Sequence, residues 1–144
     1  MKRIERAVSR FKEGFSCSQA LLSTYGTQFG LNRKIALKVS GAFGGGLGCM
    51  GETCGAVIGA FMVIGLKYGK TDVADSDTEE KTYSIVNEFV KRFKLRHGSI
   101  ICRELLCCDI STSEGMAFAE EKGLFTTICP RLVRDAAEIV EEIL

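Results

Sequence analysis

The sequence predicts an all-α fold of about six or seven helices around a glycine-rich loop. Three observations carry that reading. Hydrophobic residues make up 46% of the 144 positions and charged residues 26%, the profile of a folded globular chain. A single proline and no tryptophan accompany nine phenylalanines, which suits packed helices better than a turn-rich sandwich. No segment alternates apolar and polar residues like a half-buried strand for more than a few positions.

The first helix places Ile4, Val8, Phe11 and Phe15 on one face at helical spacing, and Gly14 ends it. Lys2, Arg3, Arg6, Arg10 and Lys12 spread around this helix and read as a solvated face. A second helix begins at once, because Ser16-Cys17-Ser18-Gln19 reads as a capping box before Ala20, Leu21 and Leu22. Gly26 and Gly30 break it, and Asn32 caps a short helix through Ile35, Ala36 and Val39. A glycine-rich loop, Gly41 to Gly51, leads into an apolar helix from about Thr53 to Tyr68.

Asp72 to Asp77 reads as a solvated acidic connection. From Thr78 to Leu95 the pattern is amphipathic, with Tyr83, Val86, Phe89, Val90 and Phe93 inward. His97-Gly98 stops it as a solvated C-cap, and Ser99 is placed to cap a short helix through Leu106. Another short helix lies around Glu114 to Glu121, and the last runs from Pro130, a good first-turn residue, to Leu144. No low-complexity stretch, repeat or linker interrupts the chain, so residues 1–144 read as one domain.

Charge and hydropathy narrow the function. Nineteen basic residues against eighteen acidic leave a net charge of +1, which argues against a polyanion-binding surface. The opening MKRIERAVSRFKEGF has no uninterrupted apolar stretch behind it and is not a signal peptide. The longest apolar run, Gly55 to Leu66, is too short to cross a bilayer. The expected location is a reducing cytoplasm. There, clustered cysteines point to redox chemistry or metal binding rather than to structural disulfides.

The seven cysteines divide into two kinds. Cys17 follows the capping Ser16, Cys54 stands where the glycine loop becomes a helix, Cys102 lies within the first turn after Ser99, and Cys129 directly precedes Pro130 as an expected N-cap. These four share helix N-termini, whose free N–H groups and partial positive charge stabilise a thiolate and lower a cysteine pKa below roughly 8.5. Four such thiols, converged by folding, suit an iron–sulfur centre or two exchangeable disulfides. The plain alternative is that they fill core, as free cysteines often do. Cys107 and Cys108 end a short helix, where the dipole disfavours a thiolate, and read mainly as packing residues. Cys49, in the loop, is the first reserve for the site.

The loop invites two other readings, and both fail. Gly46-Leu47-Gly48-Cys49-Met50-Gly51 fits the dinucleotide pattern GxGxxG, yet Ala36 to Phe43 is a poor strand and no βαβ alternation follows. A phosphate-binding loop would need a lysine where Glu52 stands. Spacing gives a better account. Gly51, Gly55 and Gly59 recur every four residues beside Ala56 and Ala60, a smooth helical stripe against which another helix or a bulky inorganic group can pack. The N–H groups of the loop are candidates to donate to cluster sulfurs or a bound anion. His97 is the lone histidine, no CxxC occurs and no CxxCH occurs, which counts against Cys–His proteolysis, thioredoxin-type exchange, most zinc ribbons and covalent haem.

At Cys54-Gly55-Ala56-Val57-Ile58-Gly59, with one cysteine before it and two after, the chain resembles the redox-active proteins labelled C_GCAxxG_C_C. The surrounding stretches FSCSQALL, GGGLGCMGETCGAVIGAF, CRELL and CPRLVRDAA extend the resemblance over nearly the whole chain. The resemblance carries the family's four characteristic cysteines onto Cys17, Cys54, Cys102 and Cys129, the four that helix position also selects. That family is similar to the cluster-binding part of split-Soret cytochromes, which implies a 2Fe–2S or related centre; the haem motifs of those cytochromes are missing here. Members tend to be encoded near transporter genes, which implies a transporter-associated or redox-protein partner.

Three functions follow as expectations. The first is a cytoplasmic electron-transfer protein whose four thiolates, Cys17, Cys54, Cys102 and Cys129, bind an iron–sulfur cluster, with Gly51, Gly55, Gly59 and Cys49 in support. The second is a metal-free dithiol–disulfide protein using the same thiols, for which three pairings are open. The third is a helical adaptor for a membrane transporter, with structural cysteines. A Cys₄ zinc site is a further possibility of the same donor set, although the wide spacing is less typical. A homodimer is the expected assembly for apolar, glycine-lined helices.

Overall fold

The computed structural model describes residues 2–144, and among them no strand forms. Seven helices of two turns or more carry the fold: α1 (Arg3–Glu13), α2 (Cys17–Tyr25), α3 (Arg33–Ser40), α5 (Gly55–Tyr68), α6 (Ser76–His97), α8 (Ser113–Glu121) and α10 (Cys129–Ile143). Single turns α4 (Gly44–Leu47), α7 (Cys102–Leu105) and α9 (Leu124–Thr127) connect them, and a short 3₁₀ turn spans Gly26–Phe29.

Local chemistry explains most boundaries. Ser16 forms the full capping box of α2: its Oγ accepts from the Gln19 N–H at 3.3 Å while Gln19 Oε1 accepts from the Ser16 N–H at 3.0 Å. Asn32 accepts from the N–H groups of Lys34 and Ile35 and so starts α3. Gly26 continues the chain into the 3₁₀ turn instead of breaking it, and Gly30, with φ of 87°, makes the stop. The acidic connection is shorter than expected, because Asp75 caps Thr78 and α6 starts at Ser76. Ser99 does not cap α7. Its Oγ accepts from Ile101 N–H in a tight turn ahead of the helix, which is one turn long.

The core forms where α2 and α5 lie against each other, with α1, α3, α6 and α10 around them. Leu21, Val57, Ile64, Phe89, Phe93 and Val133 are fully buried there. Each such side chain contributes about 1.5–3 kcal/mol by leaving water. Close approach of α2 to α5 depends on Gly59: a Cβ there would lie 2.7 Å from Leu21 Cβ and 2.9 Å from the Ser18 carbonyl. Buried Tyr25 donates to Glu141 Oε2 at 2.6 Å and ties α2 to α10.

Three expectations about side chains are corrected. Tyr83 is 60% exposed, because α6 turns its Phe89–Phe93 stripe, not its first turns, toward the core. His97 is no solvated cap: its Nε2 pairs with Asp135 Oδ2 at 2.7 Å and its ring packs against Phe93. Arg10 leaves the solvated face of α1 to donate to Ser23 Oγ and Thr24 Oγ1, both at 3.1 Å. Among the described residues no helix is long and apolar enough to cross a membrane.

Candidate functional site

The four cysteines selected from the sequence open onto one cavity of about 380 Å³, between the first turns of α2, α5, α7 and α10. Cys17, Cys102 and Cys129 are the first residues of α2, α7 and α10, and Cys54 is the N-cap of α5. The expected N-cap role of Cys129 is corrected by one position, since Ile128 precedes the helix. Cys54, Cys102 and Cys129 are buried and Cys17 is half-buried. All seven cysteines are free thiols.

Two non-local features converge these helix ends. Residues 51–54 and 100–103 meet antiparallel at an isolated bridge between Thr53 and Ile101. Cys54 N–H donates to the Ile100 carbonyl at 2.7 Å, and Cys102 N–H to the Glu52 carbonyl at 2.6 Å, so α5 and α7 start side by side. Outside the bridge, Arg103 Nη1 donates to Glu52 Oε1 at 2.9 Å. The second feature is a left-handed turn. Gly45, Gly46, Leu47, Gly48 and Cys49 all have φ between 64° and 72°. L-residues resist this backbone by roughly 1–2 kcal/mol each, which accounts for the glycine content of the segment. A Cβ on Gly46 would lie 2.6 Å from the Cβ of Cys102, and one on Gly45 would lie 2.7 Å from the sulfur of Cys49.

The expected helical stripe therefore resolves into three separate roles. Gly51 precedes α5 in a left-handed conformation and is not on a helix. Gly55 lines the cavity, where a Cβ would sit 3.2 Å from the sulfur of Cys17. Gly59 serves helix packing, the plainer alternative for that position.

The acidity of the thiols departs from expectation. Backbone N–H groups do reach the sulfurs: those of Gly45 in the glycine turn and of Ala56 and Ser18 at helix starts favour a Cys17 thiolate, and those of Ala56 and Val57 favour one at Cys54. Ala56 N–H thus serves both sulfurs. Burial outweighs these contacts and raises the pKa of Cys17, Cys54, Cys102 and Cys129, pushing Cys102 and Cys129 up to about 12 and Cys54 well above its ordinary value. Their mutual charge adds to the shift. Low-dielectric surroundings disfavour a lone thiolate more than a helix end stabilises it. The free thiols are therefore held in their protonated form at neutral pH.

Apolar walls were not legible as part of the site. Phe11, Leu106, Ile110, Met116, Phe125 and Leu132 enclose the thiols, and they come from five segments whose pattern signals core alone. Cys49, the reserve thiol, is exposed and also lines the cavity. Cys108 packs against the Cys102–Cys129 cluster, whereas Cys107 is exposed and left-handed and is not a packing residue. Among the described residues no group of three or more His, Cys, Asp or Glu side chains lies close enough together to hold a metal ion.

A family model described as "Putative redox-active protein (C_GCAxxG_C_C)" matches residues 15–143. Searches among curated proteins and among solved structures found no match.

Proposed function

The chain belongs to the C_GCAxxG_C_C family of redox-active proteins, and from that premise we propose that it is an electron-transfer protein whose cavity holds an iron–sulfur cluster on Cys17, Cys54, Cys102 and Cys129. One observation carries the reading: four thiols from four helix starts open onto a single apolar-walled cavity of about 380 Å³. The donor set suits a polynuclear group better than one ion. Its thiols are too dispersed for a single cation, while a cluster spreads its ligands over several irons.

The residues have distinct tasks. Burial makes the free thiolates unstable, so cationic iron is the partner that would deprotonate them. The N–H groups of Gly45, Ala56 and Val57 aim at sulfur, and such donors raise a cluster's reduction potential. Phe11, Met116 and Phe125 give the thiols an apolar wall. When bound, the cluster supplies one-electron chemistry without a protein radical.

Anaerobic purification followed by a visible spectrum and assays of iron and acid-labile sulfide tests the proposal. Brown protein with matching iron and sulfide is expected, and Cys54→Ser should lose the colour. Colourless protein after attempted reconstitution would overturn it. One second reading uses the same cavity without metal: its cysteines are free thiols, and dithiol–disulfide chemistry would draw on pairs among the four. In it, two thiols lose two electrons and two protons per disulfide formed.

A further inference from the structure

Between Glu13 and Glu52 the chain holds no carboxylate side chain, and the three cations of that stretch, Arg33, Lys34 and Lys38, all fall on α3. They are exposed, and among the described residues none of them joins an ion pair. α3 packs against α2 and the 3₁₀ turn, and neither carries a charged residue that could offset them. The same helix bears an apolar row. Ile35, Val39 and Ala42 recur at spacings of four and three, and Gly41, with φ of −66°, keeps the backbone helical between the last two. Ile35 is 47% exposed and Val39 52%, and Met50, at the far end of the glycine turn, is 56% exposed.

This row leads to the thiol cavity. Ser18 Oγ donates to the Ser40 carbonyl at 2.8 Å and Gln19 Nε2 to the Leu37 carbonyl at 3.0 Å. The last turn of α3 is thereby fixed to the first turn of α2, where Cys17 stands. Of the described residues that line the cavity, the exposed ones are Gly41, Ala42, Gly48 and Cys49. Solvent therefore meets the cavity along the loop that follows α3, and an apolar row flanked by unpaired cations runs up to that edge.

We propose that this face, α3 together with residues 41–50, docks a small acidic one-electron carrier. The inference rests on the electron-transfer reading of the cavity and names the partner for it. Three unpaired cations with no carboxylate among them select an acidic surface. An apolar centre of a few side chains suits a small, short-lived contact of the kind that electron carriers make. A carrier seated there lies at the open edge of the cavity, and one electron passes inward with no bond made or broken. The carrier is oxidised by one electron, and the cofactor held by the thiols is reduced by one.

The test titrates the isotopically labelled full-length protein with flavodoxin and, separately, with a plant-type ferredoxin, both acidic carriers, and follows backbone amide shifts at low and high salt. Cytochrome c, a basic carrier, is the control. The acidic carriers are expected to shift residues 33–50 in a way that fades as salt is added, and cytochrome c to leave them unmoved. Lys34→Glu combined with Lys38→Glu should weaken binding by about tenfold or more, and Val39→Ser by about threefold at every salt concentration. Lys91→Glu with Lys94→Glu makes the same change of charge at exposed positions of α6, a helix that does not line the cavity, and should weaken binding by no more than about twofold. Four outcomes would overturn the inference: no salt-sensitive shifts at residues 33–50 with either acidic carrier, equal weakening by the two charge reversals, the same shifts with cytochrome c, or concentration-dependent shifts of this face in carrier-free protein, which would assign it to a second copy of the chain. The titration is read with or without a bound cluster. Colourless protein that docks the carriers would therefore count against the cluster alone, and brown protein that ignores them against the docking face alone.

Discussion

Gly46 and Cys102 meet with no space between them: a Cβ on the glycine would lie 2.6 Å from the Cβ of the cysteine and equally close to the backbone nitrogen of Glu52. The left-handed turn and the start of α7 are therefore one packed unit. Gly46→Ala adds a methyl group at φ of 72°. The substitution should destabilise the fold by about 1–3 kcal/mol and push Cys102 out of register. Thermal melting checks the first effect. Faster labelling of Cys102 by a thiol reagent checks the second.

Two glycines of α5 should respond in opposite directions. At Gly59 a methyl group meets Leu21 and Ser18, so Gly59→Ala should cost about 1–3 kcal/mol by forcing α2 from α5. At Gly65 nothing lies within 4 Å of the added carbon, and Gly65→Ala should stabilise by roughly 0.5–1 kcal/mol through helix propensity. Denaturant titration should move the midpoint down in the first variant and up in the second, with unchanged slope.

The buried thiols make the metal-free protein sensitive to alkali. Their folded pKa values lie above the ordinary value of 9.0, near 12 for Cys102 and Cys129. Below pH 9 both folded and unfolded thiols are protonated, and no proton is exchanged on unfolding. Between about 9 and 12 the unfolded chain releases protons that the folded chain keeps, so stability falls as pH rises. For Cys54, fully buried in the core, the slope is about 1.4 kcal/mol per pH unit. Melting temperatures at pH 8 and pH 10 should differ in that direction, and Cys54→Ala should flatten the difference.

Local chemistry made much of this fold legible. Ser16 and Gln19 lie three residues apart and satisfy each other's backbone, and Asn32 needs only its next turn. The four cysteines at helix starts were legible for the same reason, because a helix start is a local event. Properties set by distant partners were not. His97 reads as a solvated cap until α10 brings Asp135 to it. Gly51 reads as helical until a bridge to residues 100–103 holds it in a turn. Thiol acidity was inverted because burial depends on Phe11, Met116 and Phe125, which only the folded chain gathers around the four thiols.

The convergence of Cys17 and Cys129 on one cavity also bears on how the protein matures. These residues stand more than one hundred positions apart, and closing so long a loop is entropically slow. Until α10 docks against α1 and α5, the cavity has no complete wall. A chain refolded under oxidising conditions would offer seven thiols with no scaffold to sort them, and scrambled disulfides would trap it. Recovery from denaturant should therefore depend steeply on reductant, with productive sulfur chemistry confined to chains that have already folded.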